Sequence, residues 1–106
     1  MKIVRTRRYI TDLKKLDATE SDLEALELEV STRPEVGALV KGLKGVRKVR
    51  FRIGDRGKRG GGRAIYYVML ANDAVIMITA YAKAEKEDLS PDDRKVILEI
   101  VEALKR

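Results

Sequence analysis

Apolar positions recur at two different periods along this chain, and the change of period divides it into parts. Tyr9, Leu13 and Leu16 follow one another at helical spacing and predict a short first helix. Leu23, Leu26 and Val30 continue as the stripe of a second helix, which Ser21 opens with Glu24 three residues on in a capping-box pattern and which Pro34 ends. Ahead of both, Ile3 and Val4 lie between charged neighbours, which suits a short strand within residues 1–6.

From residue 47 the period becomes two. Val49, Phe51 and Ile53 point one way and Lys48, Arg50 and Arg52 the other, the pattern of a half-buried strand with one core face and one cationic face. Residues 63–70 and 75–83 predict two further strands, joined through Ala71, Asn72, Asp73 and Ala74 as a tight hairpin. On the last of these, alternation places Tyr81 and Lys83 on one face with Val75, Met77 and Thr79. Ser90, Pro91, Asp92 and Asp93 then form a helix start, with a capping hydroxyl, a proline at the first helical position and acids beside the positive end of the helix dipole. Val96, Ile97, Ile100, Val101 and Leu104 give that helix a single apolar stripe. The order of elements predicts an α+β fold: a small antiparallel sheet with N-terminal helices and a C-terminal helix, in a single domain spanning residues 1–106.

Charge sharpens the picture. The whole chain is +6, yet residues 41–63 hold ten Lys/Arg against one acid, Asp55, so that segment is +9 and the remainder −3. All eight glycines lie between Gly37 and Gly62, which predicts irregular backbone over residues 36–45 and in the loop after residue 53. The nine residues 54–62 include five glycines with Arg56, Lys58 and Arg59, so backbone N–H groups can approach an anion while side chains supply charge. No GxxxxGK[ST] spacing is present, which excludes a Walker loop. A solvated hairpin loop would account for the glycines alone. It would not account for Lys48, Arg50, Arg52 and Arg63 on adjacent strands, where mutual repulsion costs stability unless an anion relieves it. A polyanion-binding face follows, with RNA the polyanion these residues suit best.

The chain contains no cysteine and no histidine, so thiolate nucleophiles, the usual zinc sites and the usual neutral-pH general base are all absent. The longest apolar stretch, residues 75–82, is far short of the roughly 20 residues that span a bilayer, and the first ten residues lack a signal-peptide apolar core. A cytoplasmic location is expected. Of Tyr66 and Tyr67, which alternate faces, one is expected in the core and the other, Tyr67, is a candidate to stack on a base. Tyr81 reads either as a core aromatic or as part of the site.

Four stretches carry a family resemblance: Gly45-Val46-Arg47-Lys48-Val49-Arg50, Gly57-Lys58-Arg59-Gly60-Gly61, Arg63-Ala64-Ile65-Tyr66-Tyr67, and Tyr81-Ala82-Lys83-Ala84-Glu85-Lys86-Glu87-Asp88-Leu89. In these the chain resembles the HigB-like branch of the RelE/ParE toxins of type II toxin-antitoxin systems, and the order of elements agrees along nearly its whole length. The resemblance implies a RelE-like microbial RNase toxin fold and a toxin that cleaves messenger RNA in the decoding site of the ribosome, an mRNA interferase needing no cofactor. It also implies a HigA-like helix-turn-helix antitoxin as partner. The family often has Asn after the lysine of its last strand, where this chain has Ala84, so more of the chemistry falls to Tyr81 and Lys83. Relatives of the ParE type share the scaffold but inhibit DNA gyrase without nuclease activity, and a non-catalytic RNA-binding module is a third reading.

RNA can be cut without histidine or metal if its own 2′-hydroxyl attacks the neighbouring phosphate. Arg50 and Arg63 would then hold the phosphate oxygens, since a planar guanidinium suits bidentate contact. Lys48, Lys58 and Lys83 are candidates for proton transfer, and Tyr81 for positioning or donating a proton. Arg47, Lys48, Arg52, Arg56 and Arg59, with Tyr67, would bind the flanking RNA.

Overall fold

The computed structural model describes residues 1–54 and 60–105, and Arg56, Lys58 and Arg59 lie outside them. Its elements run β1 (Lys2–Arg5), α1 (Arg7–Lys15), α2 (Glu20–Thr32), a 3-10 turn (Pro34–Val36), β2 (Ala38–Leu39), β3 (Arg47–Phe51), β4 (Gly62–Met69), a second 3-10 turn (Leu70–Asn72), β5 (Ala74–Ala82) and α3 (Pro91–Leu104). The five strands form one sheet in the order β1-β5-β4-β3-β2. Pairing is antiparallel from β3 through β5, as the alternating segments lead one to expect; β2, inside the stretch expected to be irregular, adds antiparallel to β3, and β1 adds in parallel along β5 with Ile3 opposite Val75, so the sheet is mixed where a purely antiparallel one was expected.

Capping residues set the helix starts. Thr6 closes β1 and opens α1: its side-chain oxygen accepts from the Tyr9 N–H at 3.1 Å, and its hydroxyl donates to the carbonyl of Met77 at 2.9 Å. For α2 the box is Thr19 with Asp22, two residues earlier than the Ser21–Glu24 pattern. Both pairs fit the motif, and Thr19 prevails because its box starts the helix at Glu20 and leaves Ser21 inside the first turn. α3 begins as its sequence predicts, with Ser90 and Asp93 satisfying each other's backbone N–H groups and Pro91 at the first position. The turn between β4 and β5 relies on Asp73, which takes up the left-handed conformation (φ 50°, ψ 48°) that aspartate tolerates better than most residues.

The sheet has two covered faces. On one, Tyr9 of α1 and Leu26 and Val30 of α2 pack against Val49, Phe51, Ala64, Tyr66, Val75 and Met77. On the other, Ile97 and Val101 of α3 pack over Ile65, Ile76 and Ile78, with Leu43, Val46 and Tyr81 in the same cluster. Gly62 lets the first face close: a Cβ there would lie 2.6 Å from Phe51 Cε1, closer than carbon atoms approach. Tyr66 is fully buried and braces the chain after α2, its hydroxyl donating to the Pro34 carbonyl at 2.6 Å and accepting from the Gly37 N–H at 2.8 Å.

β5 departs from simple alternation. The register with β4 shifts between Ile65, opposite Thr79, and Tyr66, opposite Met77, so Ile78 is an extra residue in β5. A one-residue insertion exchanges the faces of everything beyond it. Val75 and Met77 therefore face α1 and α2, whereas Tyr81 joins Ile76 and Ile78 on the α3 side. The shared face expected for Val75, Met77 and Tyr81 is overturned by this bulge.

Candidate nucleic-acid interface

α3 covers only part of its face of the sheet. It lies over β4 and β5, and on that same side β3 and the ends of β4 and β5 present Lys48, Arg50, Arg63 and Lys83. With Ala38 and Glu87 these four cations line an open pocket of about 420 Å³. Glu87 is the only acid among its described lining residues.

The register explains how they meet. Arg50 of β3 is opposite Arg63 of β4, and Arg63 is opposite Tyr81 of β5, so the three form one row across the sheet. Cβ atoms of directly opposed residues stand roughly 5 Å apart, and like charges so placed repel. Lys48 sits one row along, opposite Ile65, on the same face as Arg50. Lys83 follows β5, its backbone N–H donating to the Gly61 carbonyl at 3.0 Å, which fixes it beside the start of β4. Arg50 and Lys83 are exposed, while Arg63 is only 6% exposed and donates to the Gly62 carbonyl at 2.9 Å. Arg63 is the most buried member of the group. Lys48 Nζ lies 3.7 Å from Asp88 Oδ1.

Tyr81 belongs to this row but not to the open wall. Its ring is buried, with Lys86 Nζ 5.1 Å from the ring centroid, and its enclosed hydroxyl has no hydrogen-bond partner among the described residues. Burial first, and then the carboxylates of Asp88 and Asp93, push the hydroxyl pKa up to about 12 against the opposing pull of Arg63. At neutral pH it is a proton donor.

Asp93 holds this corner together. It accepts from Lys86 at 2.6 Å and from Arg8 of α1 at 2.7 Å while also capping α3. Burial would raise its carboxyl, but the bonds from Lys86 and Ser90 outweigh that and set it well below the usual carboxylate range. A carboxyl lowered in the folded state contributes stability that is whole above its unfolded pKa of roughly 3.9 and drains away as pH falls toward the folded value. Thermal melts from neutral pH to about pH 2.5 should therefore show Asp93→Asn melting lower than the parent at neutrality, with the gap closing below about pH 4. A gap that stays constant with pH would show that the carboxylate charge is not what Arg8 and Lys86 hold.

Other residues expected at the site go elsewhere. Arg47 falls in the row of Tyr66, on the opposite side from Lys48, and its guanidinium donates to the carbonyls of Gly37 at 2.7 Å and Glu35 at 3.3 Å. It secures the chain entering β2. Arg52 lies beyond the end of β3, where alternation no longer binds it; it donates to the Gly54 carbonyl at 2.6 Å and lines a groove with Ser21 and Asp22 of α2. Its expected place beside Arg50 is thus overturned by the end of the strand. Tyr67 shares the face of Arg63 but is four residues along β4 with the buried Ile65 between them, lining another hollow with Gly45, Leu39 and Leu70. Glu87 escaped sequence reading because its place depends on the turn after β5, which no periodicity describes.

No family model matches the chain. Among the described residues no helix is long and apolar enough to cross a membrane. Solved structures do share the arrangement of helices and strands. The isolated RelE toxin of E. coli is similar with a TM-score of 0.60 at 20% identity, over 93% of this chain and 97% of that one. The intact E. coli RelBE toxin-antitoxin complex gives 0.59 at 20% identity, over 76% and 94%. A RelBE complex from Mycobacterium tuberculosis gives 0.51 at 21% identity, over 78% and 91%. The described residues form three helices and a five-stranded sheet, an α+β arrangement with the fold seen in RelE toxins.

Proposed function

We propose that this protein is the toxin of a type II toxin-antitoxin system, of the HigB-like branch, and that it cleaves messenger RNA on the translating ribosome in the cytoplasm. The observation that carries the reading is the row of Arg50, Arg63 and Tyr81 across three strands, flanked by Lys48 and Lys83 in an open pocket. Two arginines in register and two lysines beside them provide the charge that a phosphate in a pentavalent transition state requires. The likeness to RelE toxins in fold supports the same reading.

In the proposed reaction the 2′-oxygen bonds to the adjacent phosphorus, the bond from phosphorus to the 5′-oxygen breaks, and a 2′,3′-cyclic phosphate and a 5′-hydroxyl result. Arg50 and Arg63 hold the non-bridging oxygens. Lys48 and Lys83 stabilise the attacking oxygen as its proton leaves, and Glu87 is the carboxylate of the wall able to accept that proton. Lys58 remains in the proposal as a candidate for proton transfer, and the loop cations Arg56 and Arg59 as contacts to the message. Tyr81, protonated at neutral pH, donates to the leaving 5′-oxygen once the turn bearing Lys86 moves off its ring. The ribosome supplies what the pocket lacks, a message bent so that 2′-oxygen, phosphorus and 5′-oxygen lie in line, which is worth several powers of ten in effective molarity. An antitoxin of the HigA type, with a helix-turn-helix, silences the toxin.

Induced expression followed by primer extension on cellular messages tests this directly. Cuts confined to translated regions and in register with codons are expected. Intact messages with inhibited DNA supercoiling would sink the reading in favour of a gyrase-directed toxin, and RNA binding without cuts would reduce the protein to a binding module.

A further inference from the structure

Beside the pocket of Arg50 and Arg63 lies a second hollow, of about 540 Å³, which shares Ala38 and Lys48 with the first. The two adjoin at these residues. The second hollow is also cationic: Lys41, Lys48 and Arg94 line it, with Asp88 the only acid among its described lining residues.

Its geometry comes from a contact between distant parts of the chain. Arg94, in the first turns of α3, donates from its guanidinium to the backbone carbonyl of Lys41, in the loop after β2. That loop is shaped to receive it. Gly42 sits at φ +81°, a conformation side-chain-bearing residues rarely adopt, and a Cβ there would stand 3.2 Å from Arg94 Nη2. A guanidinium has five N–H donors, so one bond to a carbonyl leaves Arg94 able to ligate an anion as well. Lys48, standing where the hollows join, can serve a phosphate in either.

We propose that this second hollow is the subsite for the phosphate of the nucleotide flanking the scissile one, with Lys41 and Arg94 as its ligands and Lys48 shared between neighbouring phosphates. The proposal rests on the ribonuclease reading for what fills the first pocket. A nucleic-acid strand suits adjoining hollows with cations on both sides of a shared lysine because it carries one charge per residue at regular intervals. Neither Lys41 nor Arg94 touches the reacting atoms; each fixes where the strand lies.

Binding of short single-stranded RNA, with a 2′-deoxy sugar at the would-be scissile position to prevent cutting, separates the two pockets. Oligomers of two and of five nucleotides are titrated at low salt against the parent protein, Lys41→Ala, Arg94→Gln and Arg63→Ala. The parent should bind the longer oligomer more tightly. Lys41→Ala and Arg94→Gln should bind the two-nucleotide oligomer as the parent does and lose most of the gain with length, about 5–10-fold, with a salt slope shallower by roughly 0.7 for each phosphate contact removed. Arg63→Ala should weaken both lengths alike. Lys41→Ala guards against misfolding, since its exposed side chain can be removed while the carbonyl that receives Arg94 remains. A length gain retained in both variants, or absent from the parent, overturns the subsite. So would unchanged RNA binding with weakened capture of an acidic peptide, which would assign the hollow to a protein partner. If the length gain behaves as stated while cellular messages stay intact, the subsite stands and the cutting reaction falls.

Discussion

Arg63→Ala is expected to lower message cleavage on the ribosome by roughly 10²–10³-fold, the loss typical when one preorganised donor to a developing oxyanion is removed. The size of the effect follows from where Arg63 sits. It is in the middle of the row, between Arg50 and Tyr81, and it is the most buried of the pocket's cations. A buried guanidinium held by its own backbone does not have to be ordered when substrate arrives, and its charge is less screened than that of exposed Arg50 or Lys83. Growth arrest on induction should disappear with the cleavage. Removing Arg63 relieves its repulsion with Arg50 but also takes out a buried, hydrogen-bonded side chain, so the melting temperature of each variant is measured beside its activity. Arg63→Lys is the companion variant: it keeps charge and most of the volume but not the planar fork, and should recover only a small part of the rate. Full activity in Arg63→Lys would show that the site needs charge alone, and full activity in Arg63→Ala would remove the row from the mechanism. Antitoxin binding by both variants, measured by co-purification, guards against a trivial loss of fold.

The parts of the site that were legible in the sequence are those set by local rules. Alternation through Val49 and Phe51 fixed the faces of Lys48 and Arg50, and the residues around Ser90 fixed where α3 begins. What could not be read depends on contacts between segments. Tyr81 reaches the row of Arg63 only because Ile78 is extra in β5, and nothing in the run from Ala74 to Ala82 marks that bulge, since every position in it is buried. Taken by alternation from Val75, Tyr81 would have faced α1 and α2. Arg52 continues the cationic alternation on paper, but β3 ends at Phe51 and Arg52 turns toward α2. Lys41 and Arg94 are 53 positions apart and meet only through the packing of α3. Glycine content marked irregular backbone around Gly42, but Gly62, expected in the loop, opens β4, and its close approach to Phe51 comes from strand packing.

Tyr81→Phe is expected to separate stability from activity. The hydroxyl it removes is enclosed and makes no hydrogen bond to any described residue, and a buried polar group in that state carries a desolvation cost with nothing to offset it. Taking it away should leave the melting temperature unchanged or slightly higher, because the ring that packs with Ile78, Leu89 and Ile97 remains. Cleavage should nevertheless fall by about 10²-fold or more, the range for loss of a positioned proton donor. The same pair of proteins supports a direct reading of the proton. The folded-state pKa is raised, so whatever stability the neutral hydroxyl contributes is whole below the unfolded value of about 10 and is lost as pH rises through about 12. Subtracting the tyrosinate absorbance of Tyr81→Phe from that of the parent should leave one titration centred near 12. A titration near 10 would mean that the hydroxyl is open to solvent in the free protein and available for proton donation without movement of the turn bearing Lys86. Unimpaired cleavage by Tyr81→Phe would make the residue a core aromatic and leave proton donation to the lysines of the wall. A loss of both rate and stability would show that the hydroxyl has a structural bond, contrary to its lack of a partner among the described residues.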